Sequence, residues 1–150
     1  MILWRISNHS LLTGEGSLRV SGRWHTRGRR IVYCSHNPAT ALLETLVHFE
    51  IDIHDLPARY RLLKLEAPDG LAIEHVVPGT LPHDWIERVD VTRAIGDAWL
   101  TAARSPLLTV PSALVPETSN VLLNPDHEDA ARVVVASVGE HAIDSRLLKH

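Results

Sequence analysis

The chain has 150 residues and a mass of 16.7 kDa, with 45% hydrophobic and 22% charged residues and a mean hydropathy of −0.01. That balance excludes a disordered tail, a fibrous repeat and a membrane span, and it predicts one globular domain over residues 1–150. The net charge of −3 hides an asymmetry. Residues 1–30 carry Arg5, Arg19, Arg23, Arg27, Arg29 and Arg30 against Glu15 alone, a balance of +5, while the other 120 hold nine basic and seventeen acidic groups, a balance of −8. Such a basic segment suits an anionic ligand, a small phosphate compound or nucleic acid, because a guanidinium grips an oxyanion at two points.

In chain order, the alternating run Ile2–Ile6 predicts a first strand with Arg5 on the face opposite Trp4 and Ile6. Thr13 to Gly22, with Gly14 and Gly16, reads as a loop, and Ile31–Cys34 as a second strand. Asn37 then caps a helix with Pro38 at its first position, and Leu42, Leu43, Leu46, Val47 and Phe49 form its apolar face. Glu44 and His48 lie four apart on the edge away from that stripe. A strand over Ala58–Glu66, an Asp69-Gly70 turn and a short strand at Ala72-Ile73 follow. Asp84–Asp90 has the character of a turn of helix. Thr92 is placed as the cap of a helix to Arg104 that buries Ala94, Ile95, Ala98, Trp99 and Ala102. Short strands are expected at Leu107–Val110, Ser112–Val115 and Val121–Leu123, and a central strand at Val133–Val138. Several short strands with two helices make a mixed α+β domain.

The absent motifs narrow the chemistry. No phosphate loop, dinucleotide glycine triad or nucleophile elbow is present. Cys34 is the only cysteine, which leaves no internal disulfide and fits a reducing cytosol; Met1–Ile6 is too short an apolar run for a signal peptide. Ten histidines include no metal-binding spacing, so no metal is expected. The helix after Asn37 carries Glu44 and Glu50 and no Lys or Arg, so direct DNA binding is not expected.

What remains is Gly22-Arg23-Trp24-His25, Tyr33, Glu44, the Val110-Pro111-Ser112-Ala113 segment and Asn120-Val121-Leu122-Leu123-Asn124-Pro125. Singly, each has a structural alternative: Arg23 a surface cation, Trp24 a core aromatic, Tyr33 a residue packed on its sheet, Glu44 a partner of His48. Together they resemble the RES domain, named for an Arg, a Glu and a Ser. The resemblance runs through W-R-I, G-R-W-H-T-R-G-R-R-I-V-Y-C-S, N-P-A-T-A-L-L-E-T-L-V-H, G-D-A-W-L and V-P-S-A-L-V-P-E-T-S-N-V-L-L-N-P, nearly the whole chain. One mild departure is Ser21, where many members have glycine before G-R-W. The name-giving positions fall on Arg23, Glu44 and Ser112, with Ser119 the alternative serine.

The resemblance implies a fold similar to ADP-ribosyltransferases and a toxin encoded beside an Xre-like helix-turn-helix antitoxin. It also implies a cytoplasmic activity that consumes NAD as a substrate, with no bound cofactor. Arg23, Tyr33 and Glu44 are then the catalytic candidates. Arg5, Trp24, Ser112 and Asn120 join them as NAD contacts: Arg5 and Arg23 on phosphate, Tyr33 at the nicotinamide, Ser112 at the ribose or the amide. Water or inorganic phosphate as acceptor, a protein as acceptor, or a non-enzymatic module that only engages the antitoxin are the readings left open. Arg27, Arg29 and Arg30 are assigned to surface charge.

Overall fold

The computed structural model describes residues 1–48 and 58–148. Strands β1 (Ile2–Ile6), β2 (Val32–Ser35), β3 (Arg59–Glu66), β4 (Ile73–His75), β5 (Leu107–Pro111), β6 (Ser119–Leu123) and β7 (Val134–Ala142) form one sheet in the order β4-β5-β6-β2-β1-β3-β7. Five of the six pairings are antiparallel; β4 and β5 run parallel because helix α2 (Val89–Ala102) crosses between them. Helix α1 (Pro38–His48) follows β2. The α+β reading therefore holds, with a mixed, mainly antiparallel sheet.

Strand alternation sends side chains to two cores. Leu3, Val32, Cys34, Leu63, Leu65, Val121 and Leu123 fill one face. Leu108, Val110 and Leu122 meet Trp24, Trp85 and Trp99 on the other, with Tyr33 packed against them. Each fully buried aliphatic side chain contributes roughly 1.5–3 kcal/mol.

Several expectations are corrected. Helix α2 starts at Val89, preceded by a coil of turns through Asp84–Arg88, and it ends at Ala102 with Ala103 in the left-handed region at φ 49°. Thr92 is therefore no cap; it is fully buried within the helix. The buried face is Thr92, Gly96 and Trp99, and Ala94, Ala98 and Ala102 face outward. The cause is Gly96: a Cβ there would coincide with the Trp24 carbonyl oxygen, so helix and loop backbones touch and the glycine must point inward.

Ser112–Val115 is a turn, because Ser112 Oγ accepts the Leu114 and Val115 amides at 3.1 and 3.3 Å. The Val133–Val138 run is a buried Val133 followed by the start of β7, an edge strand with Val134 and Val138 exposed, because β3 pairs with it on one side only. The Gly14–Gly22 loop contains a 3₁₀ turn at Glu15–Leu18, and the short strand near Ala72 covers Ile73–His75. On α1, the Asn37 cap is present, its Oδ1 accepting the Thr40 amide at 2.7 Å. Its apolar face is narrower than expected: Ala41 is buried, but Leu43 and Val47 are 43% and 52% exposed. Phe49, also placed on that face, lies outside the described residues, as does the side chain of His48.

Candidate active site

Glu44 stands two turns into α1 and reaches the residue after β5 and the start of β6. Its Oε1 accepts Ser112 Oγ–H at 2.6 Å and Asn120 Nδ2–H at 2.8 Å. Ser112 is 1% exposed, and its lone pairs already accept the Leu114 and Val115 amides, so its single proton goes to Glu44. Asn120 is turned by a neighbour: the buried Ser35 Oγ donates to Asn120 Oδ1 at 3.0 Å, which leaves Nδ2 for the carboxylate. Ser35 and Asn120 are direct cross-strand partners in the β2–β6 pairing. Charge-assisted donors on one oxygen fix the carboxylate, and Oε2 accepts no bond from a described residue.

Tyr33 lies two residues before Ser35 on β2, and so on the same face of the sheet. Its hydroxyl accepts the Trp24 amide at 3.1 Å and lies 2.7 Å from His25 Nδ1. His25 Nε2 faces two acceptors, the Val20 carbonyl at 2.9 Å and that of Ser17 at 3.2 Å. The ring proton therefore sits on Nε2, and Nδ1 accepts from Tyr33 and from the Gly22 amide at 3.2 Å. Burial lowers the His25 pKa and raises that of Tyr33, so both stay neutral near pH 7. The Tyr33 hydroxyl is thus engaged with the Gly22–His25 loop, and what it leaves for a ligand is its half-buried ring.

The same loop is docked on α2. Thr92 Oγ1 donates to the Arg23 carbonyl at 2.6 Å, and Arg93 Nε to the Gly22 carbonyl at 2.8 Å. Asp97 accepts the Thr26 amide at 3.0 Å and its hydroxyl at 2.6 Å. Arg23 is half-buried and donates Nη1 to the Ile86 carbonyl at 2.8 Å.

The structure therefore joins Glu44, Ser112 and Asn120 directly, and β2 carries Tyr33 and its loop, with Arg23, onto the same face. Ser112 rather than Ser119 bonds Glu44. Trp24 is 3% exposed and belongs to the core, the structural alternative for that residue. Arg5 departs from the expected phosphate role. It shares the face of Leu3, opposite Tyr33, and donates Nη1 to the Tyr33 carbonyl at 2.9 Å, while its Nε is buried without a partner. Cys34 is buried on that same face, with its thiol pushed up to about 11, which makes it inert.

Ser35, Thr92, Arg93 and Gly96 were not among the sequence-derived site residues. Ser35 closes the V-Y-C-S run and Gly96 opens G-D-A-W-L, which were the available signals; nothing in the sequence marked Arg93. Among the described residues, no group of three His, Cys, Asp or Glu side chains is placed to hold a metal ion. No helix among them is long and apolar enough to cross a membrane. A shallow open depression lined by Met1, Ile2, Glu66, Pro68, Arg132 and Val134 contains none of the site residues.

A mixed sheet flanked by two helices, with a Glu, a Ser and an Arg-bearing loop on one face, defines a class, and comparison with known proteins gives the same one. The RES domain profile matches residues 2–145, and the chain belongs to the RES domain family. Its relatives are named as toxins. A Pseudomonas putida protein named Toxin Res is 45% identical over 147 residues, covering 98% of this chain and 99% of the relative. A Sphingobium protein named Prs ADP-ribosylating toxin is 35% identical, covering 97% and 96%. The toxin–antitoxin complex MbcT–MbcA of M. tuberculosis contains a chain of the same fold, with a TM-score of 0.76 over 94% of this chain and 84% of that one, at 18% identity.

Proposed function

We propose that this chain is the toxin of a toxin–antitoxin pair and depletes NAD by cleaving the bond between nicotinamide and ribose, with water or inorganic phosphate as acceptor. The observation that carries this reading is the Glu44 carboxylate, held through Oε1 by Ser112 and Asn120, with Oε2 accepting no bond from a described residue. Nicotinamide leaves a cationic pyridinium as a neutral molecule, so its departure needs no acid. The C–N electron pair goes with the ring and the ribose becomes oxocarbenium-like, as in glycoside cleavage. A fixed carboxylate stabilises that positive charge and accepts a ribose hydroxyl at no reorganisation cost. The Arg23 guanidinium suits the pyrophosphate, and the Tyr33 ring suits the nicotinamide.

Incubating the pure protein with NAD, with and without phosphate, tests the reading. Nicotinamide with ADP-ribose marks hydrolysis, and nicotinamide with ADP-ribose 1″-phosphate marks phosphorolysis; intact NAD with a folded sample refutes it. The name of the Sphingobium relative supports a second reading, transfer of ADP-ribose to a protein, which labelled NAD would reveal as a tagged target. In either case the partner is an Xre-like antitoxin that covers the cleft and makes the DNA contacts, and the site of action is the cytoplasm.

A further inference from the structure

The basic segment uses half of its six arginines internally. Arg5 holds the Tyr33 carbonyl, Arg29 donates to the Asp97 carbonyl at 2.7 Å and Thr101 Oγ1 at 2.6 Å, and Arg30 donates to the Thr13 carbonyl. At the site this leaves Arg23, with only Nη1 engaged. A second cation reaches the same loop from outside the segment. Arg93 is half-buried on α2, and its Nε is bound to the Gly22 carbonyl.

Two consecutive loop carbonyls, Gly22 and Arg23, are thus held by two consecutive α2 side chains, Arg93 and Thr92. A Cβ on Gly22 would come within 2.5 Å of the Tyr33 hydroxyl, so Arg93 is fixed at the edge of the Tyr33 cluster. Neither terminal nitrogen of Arg93 has a partner among the described residues, and no carboxylate there pairs with it. Both guanidinium groups lie near enough to oppose neutrality of the Tyr33 hydroxyl, though burial dominates.

We propose that Arg93 and Arg23 form one anion site, and that Arg93 makes the protein prefer a phosphorylated nicotinamide nucleotide to the bare nucleoside. A guanidinium fixed through Nε presents its two Nη groups as a preorganised fork for phosphate oxygens. The inference rests on the NAD reading and deepens it.

The test measures nicotinamide release from NAD and from nicotinamide riboside by the wild type, Arg93→Ala and Thr92→Val. Arg93→Ala is expected to raise KM for NAD at least about tenfold more than KM for the riboside, the scale of one hydrogen bond to a charged group. It also loses the Gly22 anchor, so riboside turnover falls as it does in Thr92→Val, which loosens the same loop without touching the charge and lowers turnover of both substrates together. Equal losses on both substrates in Arg93→Ala would reduce Arg93 to a loop anchor and overturn the proposal, as would an unchanged KM. Calorimetric binding of ADP-ribose separates the two readings. If the wild type binds it but cleaves no NAD, the NAD reading fails, while tenfold weaker binding by folded Arg93→Ala sustains the anion site. Equal binding by both, or none by the wild type, overturns it.

Discussion

Around Glu44, buried side chains set the orientation of the carboxylate proposed to face the ribose. Among the described residues the Ser35 hydroxyl donates to Asn120 alone, and that bond decides which end of the Asn120 amide faces the carboxylate. Without it the amide can turn and set an oxygen against Oε1. Ser35→Ala is therefore expected to lower kcat for NAD cleavage about tenfold, with little change in KM, as expected for loss of one charge-assisted bond. Combining it with Asn120→Ala should add nothing, because both act through one bond. Steady-state kinetics of the two single variants and the double variant check this.

His25 carries a different signal. Its imidazole is neutral and buried, and burial lowers its folded pKa below the ordinary 6.5. Between the folded value and 6.5 the unfolded chain binds more protons, so stability falls as pH drops through that window. Thermal melts from pH 7.5 to 5 should show that acid slope, and His25→Gln should flatten it while lowering stability at neutral pH. The sequence singled out Glu44, Ser112, Asn120, Tyr33 and the Gly22–His25 run but not their contacts, since Ser35 meets Asn120 only through cross-strand register and His25 meets Tyr33 only through the return of a loop. The face of Arg5 was hidden in the same way, because a strand arginine gives no sign of which side of the sheet buries it.

The elements divide along the same line. Local chemistry placed α1, since the Asn37 cap and Pro38 depend on adjacent residues alone. Helix α2 was misread where tertiary contact overrides periodicity: a stripe of alanines looked like the buried face, but Gly96 and Thr92 dock the Trp24 loop. Glycine in a helix interior ordinarily costs about 0.5–1 kcal/mol relative to alanine, so Gly96→Ala would stabilise a free-standing helix. Here the added methyl meets the Trp24 carbonyl, and the expected result is a net loss of about 1–3 kcal/mol. Gly16→Ala, whose Cβ would meet nothing within 4 Å, should be near neutral. Urea denaturation of both variants checks the contrast. The edge position of β7 was equally hidden, because an apolar run of that length reads the same at the centre of a sheet as beside β3.

At the scale of the molecule, three of the six arginines in the basic segment, Arg5, Arg29 and Arg30, are structural fastening, and Arg23 stands with Arg93 where α2 meets the Gly22–His25 loop. Residues 31–150 carry a balance of −8, which disfavours direct contact with nucleic acid. The remaining choice is between an enzyme and a module that acts only by binding its antitoxin, and Glu44→Gln separates the two. A glutamine keeps an oxygen at Oε1 to accept from Ser112 and Asn120, so the fold loses about 1 kcal/mol or less. What it removes is the negative charge facing the ribose. An enzyme should then lose growth arrest and NAD depletion in cells while the variant still co-purifies with its antitoxin. A module acting by binding alone should stay as toxic as the wild type, and that outcome would reassign Glu44 to the scaffold that holds the 112–118 turn against α1.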